Sequence, residues 1–356
     1  MEFKKLVSRY RQFGGFSLVI EYAKLGVLGT VVKGFFKCLV KRQSFKAIYP
    51  EVLKRVEPFL TERYAPVVQE FKKFNVQGQE FENSRIDYTS TTTDDRPIWF
   101  CWLQGLEQAP AIVRACYNSI KRNIPDREIK VIDAKNWKEY VEMPEYIVKK
   151  WEKGRIPAAL FSDLLRLELL IKYGGTWCDS TVLCTGVSGF KFQGSSSSSN
   201  DNHNENDAST GSATVLSNYL DADLFLFQYS RPGSKEISIS NWFITARKNN
   251  EVLMVLREML YAYWKDYDCT LDYYMFHLFF SMIAKEYPEE IAMMPYGYSP
   301  NSLVLLHHWG EKFDQKKWDK LTSQVCFHKL AFRVNENIKT DKENYYNYIL
   351  KEYGCI

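Results

Sequence analysis

The stretch SDLLRLELLIKYGGTWCDSTVL, residues 162–183, gathers residue types from which a site for a charged ligand can be built. Asp163 and Arg166 stand three residues apart in a mostly apolar helical run, which puts them on one helix face. Gly174 and Gly175 then stop that helix. The chain enters a strand-like run, Trp177–Leu183, in which Asp179 and Thr181 are separated by one residue. Along an extended strand those two side chains point to the same side and Ser180 points away. Asp163, Arg166, Asp179 and Thr181 can then converge at the C-terminal end of a central strand, the edge at which open α/β sheets bind ligands. The plainer alternative for Asp163 and Arg166 is an intrahelical ion pair on a solvated face. Asp-x-Asp at such a turn would hold a divalent cation; here Thr181 stands where the second carboxylate would be.

The elements that must position these residues alternate. A strand is predicted at Ile98–Leu103, a helix at Ala111–Arg122 and a strand in REIKVID, ending at Asp133. Helices follow around Met143–Lys153 and at Ala158–Tyr173. After the Trp177–Leu183 strand come Leu224–Tyr229, SISNWFITA, helices over 251–265 and 271–286, and a last strand-like stretch in VCFHKLAF. Alternation of this kind predicts an open α/β sheet flanked by helices.

Residues 16–42 keep Ser17, Glu21, Lys24, Lys33, Lys37 and Lys41 in one narrow stripe of a helix and leave a broad apolar face. Residues 50–75 read as further amphipathic helix. The first 46 residues hold ten Lys/Arg and two Asp/Glu, about +8, so with a net charge of +4 the remainder is about −4. A globally basic nucleic-acid binder is therefore excluded, and the basic arm suits peripheral contact with anionic lipid. Packing of the same helix on a neighbouring domain is the alternative. The serine- and asparagine-rich tract 194–213 is expected to be a disordered surface insertion.

Eight cysteines without CxxC spacing, and no Asn-x-Ser/Thr sequon, point to a reducing compartment. No uncharged apolar stretch reaches the roughly 18 residues a membrane span needs. GxxxxGK[ST], GxSxG, HExxH and zinc spacings are all missing, so kinase, hydrolase and metalloprotease readings have no support.

Taken in order, RPIWFCWLQG, CYNSIKRNIPDREIKVID, LFSDLLRLELLIKYGGTWCDSTVL, SNWFITA, LDYYMFHLFF and FHKL resemble the capsular polysaccharide synthesis protein family. That family is similar to the DxD-containing sugar transferases of glycosyltransferase family 32. The resemblance covers residues 46–334, and its most specific part is S-D-x-x-R followed by Y-G-G-x-W-x-D-x-T. It implies a GT-A-like (Rossmann-like) open mixed sheet over residues 96–334, preceded by a helical extension (1–95) and followed by a C-terminal tail (335–356).

It also implies transfer of a hexose from a nucleotide-diphosphate sugar, UDP-sugars being favoured, to a hydroxyl of a glycan or lipid-linked glycan, with retention of configuration. Asp179, Asp163 and Arg166 take the catalytic positions. Trp102, Asp163, Arg166, Gly174, Gly175, Thr181 and Lys329 are the implied donor-binding residues, Trp102 by stacking on the base. Asn241, Trp242, Asp272 and Tyr273 fall at sugar- or acceptor-binding positions. Asp179 and His328 would hold a divalent cation, and a nitrogen ligand favours Mn²⁺ over Mg²⁺. Trp102 and His328 could instead be core residues, and Asp272 a helix cap. His277 reads as core, and His307 and His308 as loop residues at an acceptor rim. The expected place of work is the cytoplasmic face of a membrane rather than a Golgi-type compartment. Two other functions compete: a non-catalytic nucleotide-sugar-binding or scaffolding subunit, and a hexose-1-phosphate transferase.

Overall fold

The computed structural model describes residues 10–41, 49–76, 96–186, 218–231, 234 and 237–356. The serine- and asparagine-rich tract lies outside the described residues. Contacts divide the chain into two units, each assembled from separate stretches. One is helical and takes in the described parts of 1–86, 141–168 and 251–288; the other carries the sheet and takes in those of 87–140, 169–250 and 289–356.

In the sheet unit, short apolar runs become strands, mostly buried on both faces except in the edge strand Ile129–Ile132, where three of four residues are only partly buried. β1 (Ile98–Cys101), β2 (Ile129–Ile132), β3 (Gly175–Asp179), β5 (Leu224–Gln228) and β6 (Ile239–Ala246) form one sheet in the order β2-β1-β3-β6-β5. β1 runs parallel to β2 and β3; β6 is antiparallel to β3 and β5. This is the open mixed sheet the sequence predicts. The register pairs Cys101 with Asp179, so the C-terminal ends of β1 and β3 finish level.

The predicted Trp177–Leu183 strand is in fact two. β3 ends at Asp179, and β4 (Val182–Cys184) leaves the central sheet to pair antiparallel with β7 (Phe327–Lys329) in a two-stranded ribbon. At the other end of β3, Gly175 has φ +96° and a Cβ there would sit 2.2 Å from the Pro97 carbonyl oxygen. Glycine is what lets the helix Ala158–Tyr173 turn directly into the sheet.

The expected linear division does not match these contacts. The presumed C-terminal tail contains the helix Tyr345–Glu352, whose Tyr345, Ile349 and Leu350 are buried in the same core as β1, β4 and β7. Its apolar residues recur at helical spacing, so burying them on the helix Ala111–Asn123 gives it a packed face.

In the helical unit the long helix Tyr49–Val76 packs on the helices Glu251–Asp266 and Met275–Glu286. Val52, Val56, Leu60, Tyr64, Val68 and Phe71, spaced by three or four, make its buried stripe. Pro58 and Pro66 interrupt its hydrogen bonds on the exposed face, where water can serve the freed carbonyls. The single helix expected over 16–42 is broken at Gly26 (φ +67°) into Phe16–Lys24 and Leu28–Lys41. Among the described residues no helix is long and apolar enough to cross a membrane.

Candidate active site at the end of the central strand

Asp179 closes β3 and is half-buried, with both carboxylate oxygens engaged. Its Oδ1 accepts from Trp177 Nε1 at 2.9 Å, since residues two apart on a strand share a face. Its Oδ2 accepts from Lys329 Nζ at 2.7 Å, and the same ammonium donates to Thr181 Oγ1 at 2.8 Å. The ribbon makes this possible: β4 and β7 pair Val182 with Lys329, and Leu330 N donates to the Thr181 carbonyl at 2.8 Å. Asp179 and Thr181 thus meet, as expected, but through a turn between two sheets and on a shared lysine rather than by alternation along one strand.

His328 does not join them. Neighbours on a strand face opposite ways, so His328 points away from the side on which Lys329 reaches Asp179. It is buried, its Nε2 lies 3.2 Å from Thr185 Oγ1, and burial pushes its pKa down to about 4. Among the described residues no group of three or more His, Cys, Asp or Glu is placed to hold a metal ion. The expected Asp179–His328 cation shell does not fit these residues, because the space beside Asp179 Oδ2 and Thr181 Oγ1 is taken by an ammonium.

Gly174 and Gly175 lie at the opposite end of β3, about 13 Å from Asp179 at the usual rise per residue. They serve the helix-to-strand turn, where Gly174 O also accepts from Trp99 Nε1 at 2.9 Å, and the donor-binding role expected of them has no geometry behind it. Trp102 follows β1, half-buried, with its ring edge-on to Phe332 at 5.3 Å, and its buried Nε1 has no hydrogen-bond partner among the described residues. Trp242 is a core residue: its ring stacks on Phe227 at 4.6 Å, so the face expected to meet a sugar is covered by protein. Asn241 beside it is half-buried.

The remaining expected residues belong to the helical unit. Asp163 and Arg166 form an ion pair at 3.2 Å, both nearly fully buried, so the solvated-face alternative falls. Arg166 also donates from Nε to the Ser162 carbonyl at 3.2 Å. Asp272 is 1% exposed and accepts from Tyr49 Oη at 2.6 Å and Tyr274 N at 2.8 Å. It braces the turn into the helix Met275–Glu286 and cannot reach a sugar without unfolding that turn. Tyr273, next to it, is exposed and tilts against Phe13 at 6.0 Å. His277 is held to about pKa 4 by burial and by the Arg166 charge. In the sheet unit, His307 and His308 end the helix Ser299–His308 rather than lying in a loop, and His308 Nδ1 meets Glu311 at 2.6 Å.

Trp177 and Thr185 are the partners that sequence reasoning passed over. Trp177 carried a signal, its two-residue spacing from Asp179. Thr185 carried none, because its contact with His328 depends on how the ribbon pairs.

A family model described as capsular polysaccharide synthesis protein matches residues 38–349. The chain belongs to this family. The match spans the whole β3–β4 turn and the β7 lysine, so Asp179, Thr181 and Lys329 all lie within the family's domain. No curated protein matches. Among solved structures the chain is similar to one titled "PaToxG Glycosyltransferase", at 12% identity and a TM-score of 0.33, over 72% of this chain and 87% of that one.

Proposed function

We propose that this member of the capsular polysaccharide synthesis family is a glycosyltransferase. It moves a hexose from a nucleotide-diphosphate sugar, with UDP-sugars favoured, to a hydroxyl of a glycan or lipid-linked glycan at the cytoplasmic face of a membrane. The observation that carries this reading is the half-buried Asp179–Lys329–Thr181 cluster at the C-terminal end of a central strand. Ligands bind open α/β sheets at that edge. An ammonium there meets the charge that grows on a departing diphosphate, and charge stabilisation of this kind is usually the largest catalytic contribution.

Retention follows from a front-face displacement. The bond from the anomeric carbon to the phosphate oxygen breaks, its electron pair leaving on the diphosphate. The acceptor oxygen bonds to the same face of that carbon and passes its proton to the departing phosphate oxygen, so no separate protein base is required. The test is transfer from a panel of nucleotide sugars to capsular oligosaccharide acceptors, with the product linkage read by NMR. Product of retained configuration is expected. Inverted product overturns the front-face step, a new phosphodiester signal by phosphorus NMR identifies hexose-1-phosphate transfer, and donor binding without product identifies a non-catalytic subunit.

A further inference from the structure

We infer that Lys329 is the resident cation of this site and that its ammonium replaces a divalent metal ion. The inference rests on the glycosyltransferase reading and specifies how its donor is held. A lysine ammonium has three N–H donors. Two go to Asp179 Oδ2 and Thr181 Oγ1, at 2.7 and 2.8 Å, and among the described residues the third has no protein partner. The side chain remains about one-fifth exposed, so a phosphate oxygen can reach that third donor. The charges also balance. Two carboxylates around a divalent cation sum to zero, and so do one carboxylate, one threonine hydroxyl and one ammonium. Exchanging the second acid for Thr181 therefore matches exchanging a divalent ion for a monovalent one. A metal ion approaching Asp179 would have to displace Nζ and would meet its positive charge at close range.

The experiment uses full-length wild type, Lys329→Met and Asp179→Asn. Free Mn²⁺ is followed by EPR, and binding of UDP, GDP and ADP by calorimetry in EDTA and in Mn²⁺. Wild type is expected to bind one of these nucleotides equally well in both conditions. Lys329→Met should bind it about 10- to 100-fold more weakly in EDTA, the range of a lost charged hydrogen bond. Neither wild type nor either variant should take up Mn²⁺, because among the described residues Asp179 has no further His, Cys, Asp or Glu placed to complete a cation shell. Nucleotide binding by wild type that requires Mn²⁺, or a Lys329→Met protein that matches wild type in EDTA, overturns the inference and leaves the glycosyltransferase reading standing. Folded wild-type protein that binds none of the nucleotides in either condition overturns both.

The helical unit carries a separate feature. Among the described residues, five of the thirteen exposed large hydrophobic residues, Tyr10, Phe16, Ile20, Val32 and Phe36, fall on its first helices. Leu18 and Tyr22 turn inward, while Phe16 and Ile20, four apart, are left 72% and 40% exposed. On the next helix Val32 and Phe36, 44% and 60% exposed, flank the exposed Lys33. These apolar side chains stand in the most basic part of the chain, with ten Lys/Arg against two Asp/Glu in residues 1–46. We propose that these first helices dock on an anionic lipid surface, their exposed apolar side chains entering the headgroup boundary and the basic composition of this stretch supplying the attraction to lipid charge.

Co-sedimentation of the full chain with phosphatidylcholine vesicles, with and without phosphatidylglycerol, tests this. Binding to the phosphatidylglycerol vesicles is expected, weakened by salt and reduced roughly tenfold or more in Phe16→Ser/Phe36→Ser. Equal sedimentation of variant and wild type, or no binding to the anionic vesicles, overturns the proposal. So does a dimer in sedimentation velocity that the same variant abolishes, which would make these helices a contact between two copies.

Discussion

Asp179 in the sheet unit and Asp272 in the helical unit both accept hydrogen bonds from an aromatic residue's polar atom and from one further donor. Asp179 receives the Trp177 indole and the Lys329 ammonium; Asp272 receives the Tyr49 hydroxyl and the Tyr274 amide. The difference lies in charge and access. Asp179 is half-buried beside a cation, whereas Asp272 is buried among neutral donors, and burial pushes its carboxyl above the usual aspartate range. A carboxylate that keeps a cation and a path to solvent can exchange partners with a ligand. One sealed under a tyrosine holds a turn. Sequence alone gave both the rank of candidate site residue, and the surroundings separate them.

Asp179→Asn is the strongest test of that contrast: transfer should fall about a hundred- to a thousandfold, the usual cost of losing a preorganised charge partner. The melting temperature should fall far less than the activity, because asparagine keeps a hydrogen-bonding side chain of the same shape between Trp177 and Lys329. If activity survives, the cluster is structural and the contrast collapses. Gly175→Ala, at the other end of the same strand, should do the reverse. Its φ of +96° and the 2.2 Å approach to Pro97 O should cost about 2–3 kcal/mol in urea unfolding. Donor affinity of the folded fraction should be unchanged.

Asp272→Ala leaves the Tyr49 hydroxyl without its acceptor and should cost about 1–3 kcal/mol, with transfer per folded molecule near that of wild type. A large fall in transfer per folded molecule would restore Asp272 as a sugar ligand. The test least specific to the two aspartates is acidification. His328 and His277 are held neutral in the fold, near pKa 4 against an ordinary 6.5, so between those values the unfolded chain binds more protons. Stability is then fully present above pH 6.5 and declines as pH falls toward 4. His328→Gln should flatten part of that slope in pH-dependent unfolding, whereas a bound metal at His328 would steepen it.

The sheet was legible because its strands are short apolar runs between turn signals, and the Tyr49–Val76 helix because its i, i+4 stripe survives two prolines. Half of the candidate site was legible too, in the spacing of Asp179 and Thr181. What was not legible is pairing. That Val182 lies opposite Lys329, and hence that the lysine rather than His328 reaches Asp179, depends on a ribbon closed across 148 residues between Thr181 and Lys329. No local pattern records such a contact. Trp242 misled for a related reason: an aromatic next to an asparagine looks like a sugar platform until Phe227 is seen lying on it. The Tyr345–Glu352 helix had a readable apolar period, and only its position near the chain end made it look like a tail.

A counter-ion that is part of the polypeptide is inherited with the gene and made in step with the enzyme. It cannot be stripped by a chelator, outcompeted by zinc or lost when manganese becomes scarce. With Lys329 in that place, sugar transfer would keep its rate under metal starvation, when enzymes that borrow their cation from the surroundings slow down.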